Sequence, residues 1–542
     1  MKASINLFGS LLLSLAMSGQ AFGLGLDWLN SPSLRSWQDA VRLAGVPAQK
    51  VQLPPWVDSM AVSTISPMAH KLVLEGLTLI ILCEDVIAYE KFRMALRLDP
   101  NCLMAHCGML MCLSGYDTDY LSPVKASYDA IAKLVQSPMC IPKEKAYAGL
   151  VFSSVQNESN SKATVLCAKK ICEEWKRDPY ATMIYASLLR AQSGDPEGEE
   201  ERNRQAKEII DKYLEQHPES VAALFTSAYQ EAFAEQISDA TFAKAEKLVA
   251  LHTESTSCYQ LLGHLQFRRG DYIKASQSFQ TAEKLALQNE KRFRIPRARN
   301  LAWYRAISYR AVAEFCAGHY DTADKLAAKV VQVRVEGKYP KSVGSLFQMW
   351  EGRTLQLRLL LARPQLPNQV LVLKANPAPL PKECSATPQL VQSLCHAYQT
   401  AFYEKKRGNA LAPLTQFDKM QEVVMQLYHA TDLDHMYHQF HLERILQFVA
   451  IYGAEVRALS FPDSAELWLS EAVANQQYDK CLYPPLVPYP LEWRLAQHYL
   501  TTKQYQKAIE ACTQGLKRFP NHAGVLATME NAQSLLKKQP KS

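Results

Sequence analysis

The sequence predicts an all-α protein, a solenoid of stacked helical hairpins, and three observations carry that prediction. Ala88, Phe92 and Ala95 share one helical face, and Ala275, Phe279 and Ala282 repeat the same small-large-small order. A step of 12 residues links Gly76 to Ala88, Gly263 to Ala275 and Ala496 to Ala508. Prolines stand where such helices should stop, Pro100 after Ala88, Pro218 after Ala206 and Pro520 after Ala508. The alanines admit a neighbouring helix at close range, and the Phe fills the space beside them. Gly270-Asp271-Tyr272 and Gly318-His319-Tyr320 stand equally far before Ala275 and Ala323, as turns between paired helices would.

The elements follow in order. "MKASINLFGSLLLSLAMSGQAFG" has a basic start at Lys2, an apolar run from Ile5 to Met17 and small residues up to Gly23. This reads as a secretory signal peptide, 1–23, cut after Ala21 or Gly23, and its apolar run is too short to span a membrane comfortably. Residues 24–68, with Trp28, Trp37, Trp56 and the break "LPPW", are expected to cap the open face of the first hairpin. Helical repeats then fill 69–362, beginning with "KLVLEGLTLIIL", read as amphipathic. The segment 363–388 holds six prolines, cannot be one helix and is the best internal boundary, a linker. Helices resume over 389–538, interrupted by the Pro-rich break "YPPLVPYP" at 483–490, and 539–542 is a solvated tail.

The spacing resembles tetratricopeptide (TPR) repeats, helix-turn-helix units of about 34 residues, with best matches at 69–102, 256–289 and 489–522 and degenerate repeats between them. That resemblance implies a right-handed superhelix and a binding role. Further stretches resemble a family of secreted bacterial TPR proteins. "LDPNCLMAHCG" matches its first-repeat ending through Leu98, Asp99, Pro100, Asn101, Cys102, Met104, Ala105 and Gly108. Tyr483, Pro484, Pro485, Tyr489 and Pro490 match a Pro/Tyr-rich element before the last repeat, whereas "GHLQFRRGDY" at 263–272 lacks the family's Met-Pro-Ser-His core. The resemblance implies no assigned activity.

Composition narrows the function. Sixty basic residues against 53 acidic ones leave a net charge of +7 over 542 residues, too small an excess to mark nucleic-acid binding. The 13 cysteines contain no C-x-x-C, so neither a thioredoxin-like site nor a zinc ribbon is indicated. An exported chain permits disulfides between neighbouring helices, with the pairs undetermined. "CLMAHCGMLMC" offers soft ligands for Cu(I), but its helical spacing suits core packing better. The richest polar cluster is "LYHATDLDHMYHQFHLERIL", 429–443 in its core, with His435, His438 and His441 three residues apart. Adjacent pairs can share a metal, but successive steps drift round the helix by about 60°, so the three converge poorly. The simpler reading is a polar helix start.

No catalytic or cofactor motif is present: no H-E-x-x-H, G-x-S-x-G, Walker loop, G-x-G-x-x-G or C-x-x-C-H. The leading expectation is a non-enzymatic scaffold for an unidentified protein or peptide, without nucleic acid, cofactor or stable membrane span, located in the periplasm or outside the cell. The alternative is a metal-binding protein or metal-dependent enzyme using 429–443. Partner contacts are expected from Tyr259, His264 and Arg268, and from Arg494 and His498 stepping outward around Leu495 and Ala496.

Overall fold

Twelve-residue steps between small residues become helix crossings in the structure. It is a computed structural model that describes residues 52–113, 121–138, 140–156, 161–191, 198–297, 300–333, 343–363, 387–428, 436–476 and 482–539. Among these there are 22 α-helices and no strands, arranged as antiparallel hairpins of the TPR type. The signal segment and most of 24–68 and 363–388 lie outside the described residues.

The chain divides into two units, Met1–Cys258 with Lys291–Ile295, and Tyr259–Glu290 with Pro296–Ser542. In the first, successive helices are α1 (Pro67–Ile81), α2 (Asp85–Leu98), α3 (Leu103–Leu113), α4 (Leu121–Leu134), α5 (Pro142–Gln156) and α6 (Lys162–Glu174). They continue as α7 (Pro179–Ala191), α8 (Glu199–Gln216), α9 (Val221–Glu231) and α10 (Asp239–Leu251). The division falls within α11 (Thr256–Arg268) and near the end of α12 (Tyr272–Phe293). The second unit continues with α13 (Leu301–Cys316), α14 (Tyr320–Val331), α15 (Val343–Ala362), α16 (Thr387–Lys406) and α17 (Ala412–Tyr428). It ends with α18 (Met436–Ser460), α19 (Ala465–Asn475), α20 (Leu491–Thr501), α21 (Tyr505–Arg518) and α22 (Ala523–Lys538).

Three local rules build the hairpins. At the crossings, a Cβ on Gly76 would sit 2.6 Å from Phe92, and one on Gly263 would sit 2.8 Å from Phe279. Ala88, Ala95, Ala275, Ala282, Ala496 and Ala508 are wholly buried there, and Cys512 takes the place of the Phe. The turns share one backbone device. Cys83, Gly270, Gly318, Gly408 and Lys503 have φ between 58° and 94°, and the next N–H reaches back to the helix in each case, as from Asp271 to the Gln266 carbonyl at 2.9 Å. Prolines set the stops: α2, α8 and α21 each end two residues before Pro100, Pro218 and Pro520. In the central repeat Leu287 stands where that proline would fall, and α12 runs on to 22 residues.

Closure of each unit departs from the open array that the sequence suggests. Helix α1 packs not only on α2 and α3 but also on α7 and α9. Its residues are therefore buried without a break from Leu72 to Ile81. The stretch read as amphipathic is a helix buried on all sides, and its one carboxylate, Glu75, is paired with Lys91 at 2.6 Å. In the second unit the α11–α12 turn meets the loop after α21. Gly270 lies against the Pro520 carbonyl so closely that no Cβ fits, and the Phe267 and Phe519 rings are 6.0 Å apart. The next turn repeats this contact, Phe315 lying 6.2 Å from the His522 ring.

Candidate binding surfaces on the inner walls

Closure leaves each unit with an inner wall, and each wall holds a non-helical segment of the same chain. In the first unit the segment is 52–66. Unlike a proline-rich run, it offers both N–H and C=O groups, and the wall answers both. Glu144 accepts from the Ser63 N–H at 2.6 Å, and Asp99 accepts from the Ile65 N–H at 3.1 Å. Tyr180 Oη donates to the Asp58 carbonyl at 2.8 Å, and His70 Nε2 bonds the Met60 carbonyl at 2.7 Å. Ser220 Oγ donates to the Asp58 carboxylate at 2.7 Å. Trp56 stacks on His252 with ring centres 4.1 Å apart. Burial pushes the Glu144 carboxyl up to about 7 and the His252 imidazole down to about 4.

In the second unit the segment is 482–490, the run that the sequence marks as a break. Four prolines remove four N–H groups, so it presents mainly carbonyls, and the wall supplies donors. Arg358 Nη1 donates to the Pro485 and Leu486 carbonyls at 3.1 and 3.0 Å, while Nη2 pairs with Glu351 at 2.5 Å in full burial. Cys316 Sγ donates to the Pro488 carbonyl at 3.5 Å, and His522 Nε2 bonds the same oxygen at 3.1 Å. Arg305 donates to Tyr483 Oη at 3.1 Å and lies over that ring. Glu455 accepts from Tyr489 Oη at 2.6 Å and from Tyr398 Oη. Tyr483, Leu486, Val487 and Tyr489 are all buried.

Beside this segment a small pocket opens to solvent, lined among others by His264, Phe267, Arg268, Tyr309, Gln447 and Arg518. It contains two of the residues expected to meet a partner. Arg268 is half-buried on its wall, and His264 is buried beneath, its Nδ1 2.7 Å from Tyr309 Oη. Tyr259 is half-buried at the start of the same helix, and His498 is half-buried on α20. Arg494 is placed otherwise than outward. Its guanidinium turns in over Tyr489 and Trp493, donates to the Leu361 carbonyl at 2.5 Å and lies 3.6 Å from Glu455. The cause is Tyr489 on the segment together with the Glu455 carboxylate on α18, which lie within reach of this cation.

Other sequence candidates separate from these walls. His435 lies outside the described residues, and only the backbone of His438 and His441, on α18, is described. Among the described residues no group of three or more His, Cys, Asp or Glu is placed to hold a metal. Cys102, Cys107 and Cys112 are buried, and burial pushes Cys102 up to about 12 and the other two well above the usual thiol range. They remain protonated, as apolar packing groups do. Among the described residues no helix is long and apolar enough to cross a membrane.

Sequence reasoning missed the wall residues Glu144, Tyr180, Arg358, Glu455 and His522. The only local signal for Arg358, Glu455 and His522 was the Pro/Tyr-rich run they hold, and for Glu144 and Tyr180 it was the break within 52–66.

No family model matches the sequence, and no curated protein matches it. Solved structures that resemble it include the TPR domain of P58(IPK), at 14% identity and TM-score 0.24, covering 88% of this chain and 99% of that one. Human IFIT1, solved as a dimer with m7Gppp-AAAA, is 12% identical with TM-score 0.34, over 88% of this chain and 91% of that one. Yeast Tom70 is 13% identical with TM-score 0.29, over 88% and 90%. These likenesses concern the fold alone.

Proposed function

We propose that this chain is a non-enzymatic scaffold that binds a protein partner in the cell envelope or outside the cell. One observation carries the reading: both inner walls already hold non-helical polypeptide through side-chain bonds to its backbone. A surface that satisfies backbone groups of one segment suits another of similar form. Since both walls are filled by the chain itself, a partner engages what borders them. On the second unit the contacts proposed are Tyr259 on α11 and His498 on α20, both half-buried and able to hydrogen-bond the backbone or side chains of a partner segment.

Export rests on the N-terminal pattern of Lys2, the apolar run and the small residues ending at Gly23. Two measurements test the proposal. Co-purification from the native envelope with mass spectrometry should recover a stoichiometric partner, lost in a folded Tyr259→Ala/His498→Glu variant. Full capture by that variant would place the partner elsewhere. Amino-terminal sequencing of the native protein should begin just after Ala21 or Gly23, and an intact Met1 would overturn export.

A further inference from the structure

A small cleft between α17, α18 and α19 carries one charge of each sign. Gly453, Ala454 and Ala472 form its floor, and their short side chains leave the space above them open. Arg457 on α18 and Glu471 on α19 both line it. The half-buried Arg457 guanidinium lies 4.4 Å from the centre of the Phe417 ring and 4.8 Å from that of Trp468. Two aromatic rings from different helices therefore hold this cation by attraction to their faces. Its N–H donors stay available, since among the described residues the guanidinium makes no hydrogen bond or ion pair. The exposed Glu471 carboxylate is likewise unpaired. Opposite charges thus face one cleft without meeting, and all three helices belong to the second unit.

We infer that this cleft binds a small zwitterion of the amino-acid kind, with its carboxylate on Arg457 and its ammonium on Glu471. A planar guanidinium presents paired N–H donors that match a carboxylate. Held on two rings, this one has little freedom left to lose when a ligand arrives. The cleft is too small and open for an apolar body to supply the affinity, so the two charges must do so together. A ligand with one charge answers only one of them. The inference does not rest on the scaffold reading, because the ligand is a small molecule and the site is complete within the second unit.

Titration calorimetry on the full chain tests it with glycine, β-alanine and 4-aminobutanoate, and with acetate and methylammonium as singly charged controls. At least one zwitterion should bind one per chain, at least about tenfold more tightly than either control. The tightest of the three reports the spacing of the two charges. Glu471→Gln should weaken that zwitterion about tenfold or more and leave the melting curve unchanged, because the side chain is exposed and unpaired. Arg457→Lys keeps a cation over the rings but loses the paired donors, and should weaken it similarly. Since the Arg457 change touches the packing of two rings, the Glu471 variant decides. Controls that bind as tightly as the zwitterions, no heat from any zwitterion, or undiminished affinity in Glu471→Gln would overturn the site. Partner capture from the envelope should be the same for Glu471→Gln and the unaltered chain, which keeps this result separate from the scaffold test.

Discussion

The two units solve one problem with different chemistry. Each closes on itself, and each must satisfy the backbone of a non-helical segment shut inside. The first unit holds 52–66, whose N–H groups are available, and it uses Glu144 and Asp99 as acceptors. The second holds 482–490, whose prolines leave carbonyls, and it uses Arg358, Cys316 and His522 as donors. What a segment offers decides the residues that line its wall. A buried backbone group left unanswered costs about 1–3 kcal/mol, enough to make the match compulsory.

The comparison breaks most sharply at Arg358. Replacing it with Met strands the Glu351 carboxylate in full burial and frees two carbonyls, a loss of about 3–5 kcal/mol. Urea denaturation followed by hydrogen exchange should show the second unit unfolding earlier and α1 to α10 unchanged. Equal loss in both units would mean that they do not respond separately.

Acidification should also divide them. The folded pKa of His522 is lowered to about 4 by burial, the main cause. Its unfolded form takes up a proton first, so its contribution is complete above pH 6.5 and is lost as the pH falls toward 4. That loss amounts to roughly 3 kcal/mol at most. In the first unit His252 behaves likewise, but Glu144 acts against it, since burial raises its pKa to about 7. A raised carboxyl pKa costs stability as the pH rises from 4.5 to 7, so acidification returns it. Thermal melts from pH 7 to 5 should therefore lower the second unit more, and His522→Gln should remove most of the difference.

Overpacking at the crossings is expected to be smaller and graded. Gly263→Leu should cost about 1–3 kcal/mol by pressing on Phe279. Gly76→Leu should cost more, because Phe92 is wedged between Gly76 and Gly108, leaving no room for a Cβ on either side. Melting temperatures of the two variants rank them directly. An unchanged melt for either would mean that its crossing can yield. The smallest effect is at the turns. Lys503 is exposed with φ 60°, a conformation that suits glycine, so Lys503→Gly should stabilise the second unit by up to about 1 kcal/mol.

These hairpins were legible in the sequence because their contacts are local. Gly76 meets Phe92 within one repeat, Gly270 marks a turn, and Pro100 ends a helix by lacking an N–H. Closure was not legible, because it joins residues far apart: Tyr180 to Asp58 across 122 positions, and Arg358 to Leu486 across 128. A Pro-rich run announces that a helix stops, but whether it lies in solvent or in a core depends on donors that no local pattern reveals. The same distance explains Arg494. Its helical step was readable, but the Glu455 and Tyr489 that draw it inward were not.

Hydrogen exchange at the two inner segments tests the central claim most directly. The amides of Ser63, Ile65, Leu486 and Val487 should exchange as slowly as those of the buried helices α1 and α13. Exchange at the rate of exposed turns such as Thr501–Lys503 would mean that the walls stand open and that the chain does not fill its own binding surfaces.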